Sequence, residues 1–188
     1  MNRINVAVVG ANGYSGEELV AILARHPRVE LACVTSRQHA GRPLGEVIGR
    51  MRATTRLKFS QPDIAAITGA GCDIAFLALP HGLAHEFALP LLDAGLRVID
   101  LSADFRLRDA AVYAATYGQP HPAPGLLAEA VYGMPEIYRD QLPAARLVAS
   151  PGCYPTSVIL PLMPLLRERL VDPASLVVCS ASGLSGAG

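Results

Sequence analysis

The sequence has no tryptophan, a single lysine (Lys58) and few charges of either sign. Charged residues make up 17% of the chain, against about 25% in an average soluble domain. Lys+Arg and Asp+Glu both number 16, so no basic excess is present to draw in nucleic acid or an anionic membrane. No apolar run of about 18 residues is free of a charge or a breaker, which argues against a membrane-spanning helix. The start, Met1-Asn2-Arg3-Ile4, enters a strand pattern without the layout of a signal peptide. The four cysteines (Cys33, Cys72, Cys153, Cys179) form no C-x-x-C pair and no disulfide-framework spacing. Free thiols in a reducing cytoplasm are the expectation. Apolar residues reach 51%, too many for a disordered chain, and with 5% aromatics the core falls to Ala, Val, Leu and Ile.

The order of patterns predicts an α/β fold. Ile4–Val9 is a short β-branched run closed by Gly10, as a buried parallel strand is. Leu19, Val20, Ile22 and Leu23 share one helical stripe between Glu17 and Arg25, and Pro27 stops it. Val29–Thr35 completes a βαβ unit. Further strands are expected at Asp73–Leu79 and Arg97–Asp100, with a helix over Leu83–Leu92 interrupted by Pro90 and a less distinct strand at 56–59. This alternation predicts a Rossmann-like, doubly wound, mostly parallel sheet over residues 1–149. From about residue 104 glycines, prolines and tyrosines point to loops and short helices bearing site residues. A strand at Arg146–Ala149 follows. Residues 150–188 form a further segment that ends in a glycine-rich loop straight after a strand pattern and looks cut. There the prolines at 161 and 164 argue against one straight helix, and Ser175–Ser180 reads as a strand.

Three stretches carry chemistry. Gly10-Ala-Asn-Gly-Tyr-Ser-Gly16 joins the first strand to the first helix, where glycines let a pyrophosphate approach the helix N–H groups. Its spacing is G-x-x-G-x-x-G, a variant of the dinucleotide turn; a purely structural turn is the bland alternative. The second strand ends in Thr35-Ser36-Arg37 with no acid, which favours NADP over NAD. Cys153, in Pro151-Gly-Cys-Tyr-Pro-Thr156, sits between a strand and a helix start, a position that activates thiols. A buried structural cysteine is the equal alternative; Cys33, Cys72 and Cys179 read as structural. His81 and His85 have metal-pair spacing but no third ligand, so no metal is expected. A short-chain dehydrogenase is excluded, because a Tyr-x-x-x-Lys pair is impossible when Lys58 precedes every tyrosine but Tyr14.

Six segments taken in order carry a resemblance: 10–16, Leu79-Pro-His-Gly82, Asp100-Leu-Ser-Ala-Asp-Phe-Arg106, Tyr132-Gly-Met-Pro-Glu136, 151–156 and Ser182–Gly188. Together they resemble the N-acetyl-γ-glutamyl-phosphate reductases of arginine biosynthesis, relatives of the aspartate-semialdehyde dehydrogenases. The resemblance implies NADPH-dependent reduction of the acyl phosphate of N-acetylglutamate to its semialdehyde, with phosphate released through a thioester on Cys153, and makes residues 150–188 the start of a truncated second, α+β catalytic domain. It also implies a cytoplasmic enzyme that is a homo-oligomer when intact, with no nucleic-acid or membrane partner. Gly10, Asn12, Gly13, Tyr14, Ser15 and Gly16 would hold the pyrophosphate, and Ser36 and Arg37 the 2′-phosphate. Leu79 and Pro80 would border the cofactor, Ser185 and Gly186 would face the nicotinamide, and Ser102 and Arg106 would contact substrate. Two departures stand out. Ser150 replaces the usual asparagine, and none of the five histidines matches the family's base, so the chain alone is expected to be inactive. Reduction of an aspartyl or aminoadipyl derivative, and a non-catalytic NADP-binding module, remain open.

Overall fold

A computed structural model describes residues 3–52 and 55–187. The strands are β1 (Ile4–Val9), β2 (Val29–Thr35), β3 (Ile74–Leu77), β4 (Arg97–Asp100), β5 (Val131–Tyr132) and β6 (Leu147–Ala149). The helices are α1 (Tyr14–Leu23), α2 (Leu44–Val47), α3 (Ile64–Gly69), α4 (Ala84–Asp93), α5 (Ala110–Tyr117), α6 (Pro124–Glu129), α7 (Pro135–Tyr138), α8 (Cys153–Arg167) and α9 (Leu184–Ala187). All strand pairs are parallel, in the order β2-β1-β3-β4-β6-β5.

The strand period of two divides the core between the two faces. From β1, Val6 and Val8 pack with Val20, Leu23, Leu44, Ile48 and Phe59, beneath α1 and α2. Ala7 and Val9 point the other way, into a core with Ile67, Phe87, Leu91, Tyr113 and Leu127 from α3 to α6 and Phe105 from the loop after β4. Helices on both faces make the fold doubly wound. The winding reverses beside β1, whose neighbours are β2 on one side and β3 on the other. At such a switch point the carboxyl ends of the strands leave a crevice for ligands.

Several local expectations are corrected. Pro90 lies inside an unbroken α4, and Pro161 and Pro164 inside an unbroken α8. Helical φ suits proline, so each ring removes one intrahelical N–H, a loss that the flanking Leu and Met residues, good helix formers, outweigh. Residues 56–59 form no strand; Lys58 bridges Pro43 and Ser60 bridges Thr35, which holds this loop to the end of β2. Ser175–Ser180 forms no strand either. A helical turn at Pro173–Ser175 is followed by exposed chain that pairs with nothing among the described residues. The sequence offers no sign of the short β5, since two residues between α6 and Gly133 carry no periodicity.

Candidate active site

The glycine turn is shaped by two close approaches. Gly10 has φ +82°, and a Cβ there would lie 2.3 Å from the Ala78 carbonyl oxygen. A Cβ on Gly16 would lie 2.3 Å from the Gly10 carbonyl oxygen, so the first and last glycines lock the turn against β3 and α1. Gly13 is exposed, and a Cβ there would meet only the Gly10 oxygen at 3.8 Å. The Gly10 N–H donates to Thr35 Oγ1 (3.3 Å) and the Ala11 N–H to the Thr35 carbonyl (3.0 Å), tying the turn to β2. No side chain caps α1, so its first-turn N–H groups remain available to an anion.

Beside the turn opens a cleft of about 410 Å³. Of the residues expected to hold a cofactor, Gly10, Asn12, Gly13, Ser36, Arg37, Leu79 and Pro80 line it. Tyr14 and Ser15 are exposed and Gly16 is buried, all outside this lining. Gly186 belongs to α9, also away from the cleft; the side chain of Ser185 and the last residue, Gly188, lie outside the described residues. Thr35, Gln38, Pro62, Ala78, Leu83 and Phe87 complete the lining and were not anticipated. They are apolar or unremarkable in type, and only the fold brings Pro62 and Phe87 to the ends of β1 and β2. Ser36 is buried; its Oγ accepts from the His39 N–H (3.1 Å), which leaves its own proton free to donate. Arg37 is exposed at the rim.

Three strand spacings away from β1, roughly 14 Å, β6 delivers the cysteine. Cys153 is a free, exposed thiol and the first residue of α8, with Gly152 at the N-cap. Thr156 closes the first turn, its N–H and Oγ1 both donating to the Gly152 carbonyl (3.0 and 2.9 Å). The other cysteines differ. Burial pushes the Cys33 thiol up, and burial with nearby Cys33 and Asp73 pushes Cys72 up to about 11, which suits inert core positions. Cys179 is exposed and outside any strand, contrary to the expected structural role.

The loop after β4 joins the two regions. Ser102 is buried; its hydroxyl donates to Asp100 Oδ2 (2.7 Å) and accepts from the Asp104 N–H (3.1 Å). Arg106 is half-buried, with Nε donating to the Ser150 carbonyl (2.8 Å) and Nη2 to the Leu101 carbonyl (2.9 Å). Its Nη1 runs beside Gly152, 3.0 Å from where a Cβ would be. Asp100 is enclosed, and burial raises its carboxyl to about 6 against the pull of the Ser102 hydrogen bonds and Arg106. His81 accepts the Ala103 N–H at Nδ1 (2.8 Å), and His85 packs near His121 instead. Among the described residues no group of three or more His, Cys, Asp or Glu is gathered to hold a metal.

Residues 5–145 match the family model described as semialdehyde dehydrogenase, NAD binding domain, and residues 153–188 match the semialdehyde dehydrogenase dimerisation domain. The N-acetyl-gamma-glutamyl-phosphate reductase of Akkermansia muciniphila is 55% identical over 190 residues, covering 100% of this chain and 55% of that protein. The one from Ectopseudomonas mendocina is 53% identical over 186 residues, covering 98% and 54%. The chain thus spans about half the length of the curated relatives it matches. In fold it is similar to aspartate semialdehyde dehydrogenase II of Vibrio cholerae complexed with ASA (TM-score 0.63, 18% identity, 88% of this chain and 47% of that one). The Candida albicans aspartate semialdehyde dehydrogenase with NADP is comparable (TM-score 0.60, 17% identity, 88% and 47%).

Proposed function

The chain belongs to the semialdehyde dehydrogenase family, and from that premise we propose that it is the nucleotide-binding and cysteine-bearing part of an NADP-dependent N-acetyl-γ-glutamyl-phosphate reductase. The carrying observation is that one parallel sheet presents, along one edge, both a cleft ending in Ser36 and Arg37 with no acid and an accessible Cys153. The substrate follows from the names of relatives at 50–55% identity. Residues 1–149 form the nucleotide unit and residues 150–188 begin the catalytic one. The intact enzyme is a cytoplasmic homo-oligomer, in keeping with the match to a dimerisation domain.

The residues present fit a phosphorylated dinucleotide. The open face at Gly13 and the uncapped start of α1 receive the pyrophosphate, while Arg37 and the free Ser36 proton receive the 2′-phosphate. Leu79, Pro80, Leu83 and Phe87 give the apolar wall a flat ring system needs. When bound, reduced NADP supplies a hydride. Cys153, as thiolate, attacks the acyl carbon of the substrate; a C–S bond forms, the C–O bond to phosphate breaks, and inorganic phosphate leaves. Cys153 would hold the acyl carbon for that hydride and would be released as thiolate when the aldehyde forms. Arg106, with Nη1 beside Gly152, offers a planar donor edge to the phosphate or carboxylate of the substrate. Ser102 shapes the loop that carries Arg106.

Calorimetric titration of NADPH and NADH tests the reading. NADPH is expected to bind about tenfold or more tightly than NADH, worth about 1.4 kcal/mol or more, and Arg37→Ala to erase most of that difference. A chain extended to the relatives' length is expected to turn over the acyl phosphate where this chain does not. In that longer chain Cys153→Ser should keep nucleotide affinity and lose activity. Failure of either nucleotide to bind the longer chain would sink the proposal.

A further inference from the structure

Helix α4 is capped from a distance. Leu83 at its N-cap offers no side-chain hydrogen bond, yet its first N–H groups are not left open. The Asp104 carboxylate, 20 residues on from Ala84, accepts the Ala84 N–H at 2.9 Å and, with its other oxygen, the Gly82 N–H at 2.7 Å. Asp104 is 1% exposed, and its two oxygens accept one buried and one part-buried backbone bond. The His81–Ala103 bond adds a third tie between the same two loops.

Each loop belongs to a different half of the site. The one after β3 supplies Leu79, Pro80 and Leu83 to the nucleotide cleft. The one after β4 continues from Asp104 through Arg106 to the Ser150 carbonyl, while the Ser150 N–H donates to the Asp100 carbonyl at 2.8 Å. Ser150 lies three residues before Cys153. A purely local helix cap needs none of this second set of contacts; Asp109, at the far end of the loop after β4, caps α5 through bonds from the Ala111 and Val112 N–H groups alone. Leaving a buried hydrogen-bonding group unpaired is costly, so the two loops shift together rather than singly.

We propose that Asp104 is a positioning residue that couples the occupancy of the nucleotide cleft to the placement of Cys153. This rests on the nucleotide reading of the cleft given above. A ligand that moves the loop after β3 moves Asp104 with it, and Asp104 moves the strand of contacts that fixes the Ser150–Gly152 turn. The nucleophile is then set differently in the free and nucleotide-bound protein.

Cys179 is the second exposed thiol and serves as the reference: it shares a hollow with Tyr154 and Ser157 of α8 and makes none of the hydrogen bonds that tie the two loops together. The chain is treated with iodoacetamide with and without saturating NADP⁺, nucleotide binding being measured separately, and alkylation of Cys153 relative to Cys179 is followed by peptide mass spectrometry. NADP⁺ is expected to change that ratio about fivefold or more in the wild type. Asp104→Asn sets an amide N–H₂ against one of the two backbone N–H groups. It should still bind NADP⁺, with the change in ratio cut to below about twofold. Asp109→Ala, which loses a cap of the same kind, should respond as the wild type does. His81→Ala alters an exposed ring and removes the third tie, so it should weaken the response even if Asp104→Asn does not fold. A full response in His81→Ala or Asp104→Asn overturns the coupling, as does a wild type that binds NADP⁺ with no change in ratio. A wild type that binds no NADP⁺ even when extended to the relatives' length removes the cleft reading itself, and the coupling falls with it.

Discussion

The buried side chains that matter most here are polar ones, and Asp100 has a measurable signature. Its proton is held more tightly in the folded chain than in the unfolded one, because burial raises the carboxyl from 3.8 to about 6. The stability this contributes is complete below pH 3.8 and is lost as the pH climbs through about 6, after which it stays lost. Asp100→Asn removes the titration. Between about pH 4 and about pH 7 the wild type should therefore lose on the order of 2–3 kcal/mol relative to that variant in urea unfolding. Parallel curves for the two proteins would contradict it. Single residues also show what the sequence exposed. Gly10, Arg37 and Cys153 announce themselves, because backbone freedom, charge at a strand end and a thiol beside a glycine are local properties. Asp104 does not, since its partners at Gly82 and Ala84 lie some 20 residues away and an acid in a loop carries no sign of what it caps. Ser102, expected to contact substrate, has its hydroxyl engaged within the protein, on Asp100 and the Asp104 N–H, and its type alone shows nothing of that.

Secondary structure was readable wherever a segment met both a strong period and a partner. The first βαβ unit satisfied both. Ser175–Ser180 had the composition of a strand but no partner among the described residues, and stayed unpaired. The reverse holds for β5, which has too few residues to show a period and is defined by its pairing with β6. Proline misled twice, at α4 and α8, because a breaker rule assumes that the lost hydrogen bond outweighs the helix-forming residues on either side. In α8 that cost should be recoverable. Pro161→Ala restores an N–H to the interior of a helix that has no fully buried residue and should raise helix stability by about 1–3 kcal/mol. Stronger circular dichroism at the helical minimum and a higher unfolding midpoint would show it. An unchanged or lower midpoint would mean that the ring makes contacts worth more than the bond.

Taken whole, the molecule combines an even charge balance with an apolar surface on α8. Val158, Ile159, Leu162, Met163 and Leu166 line a hollow of about 470 Å³, and the net formal charge at pH 7 is zero. Little electrostatic repulsion opposes association of such faces. The chain is expected to self-associate at neutral pH in sedimentation velocity, and Leu162→Glu with Leu166→Glu to reduce it. A wild type that remains monomeric across the dilution series would contradict this. The order of strands bears on time as well as on shape. β6 lies between β4 and β5 although it follows β5 in the chain, and β5 pairs with β6 alone. Residues 131–132 therefore have no place in the sheet until residues 147–149 have been laid against β4. The lining of the nucleotide cleft, by contrast, comes entirely from residues 10–87. As the chain leaves the ribosome, N-terminal segment first, the cleft is complete in sequence while the turn that will carry Cys153 has not been made. On the proposed reading, the protein acquires a place for its ligand before it acquires its nucleophile.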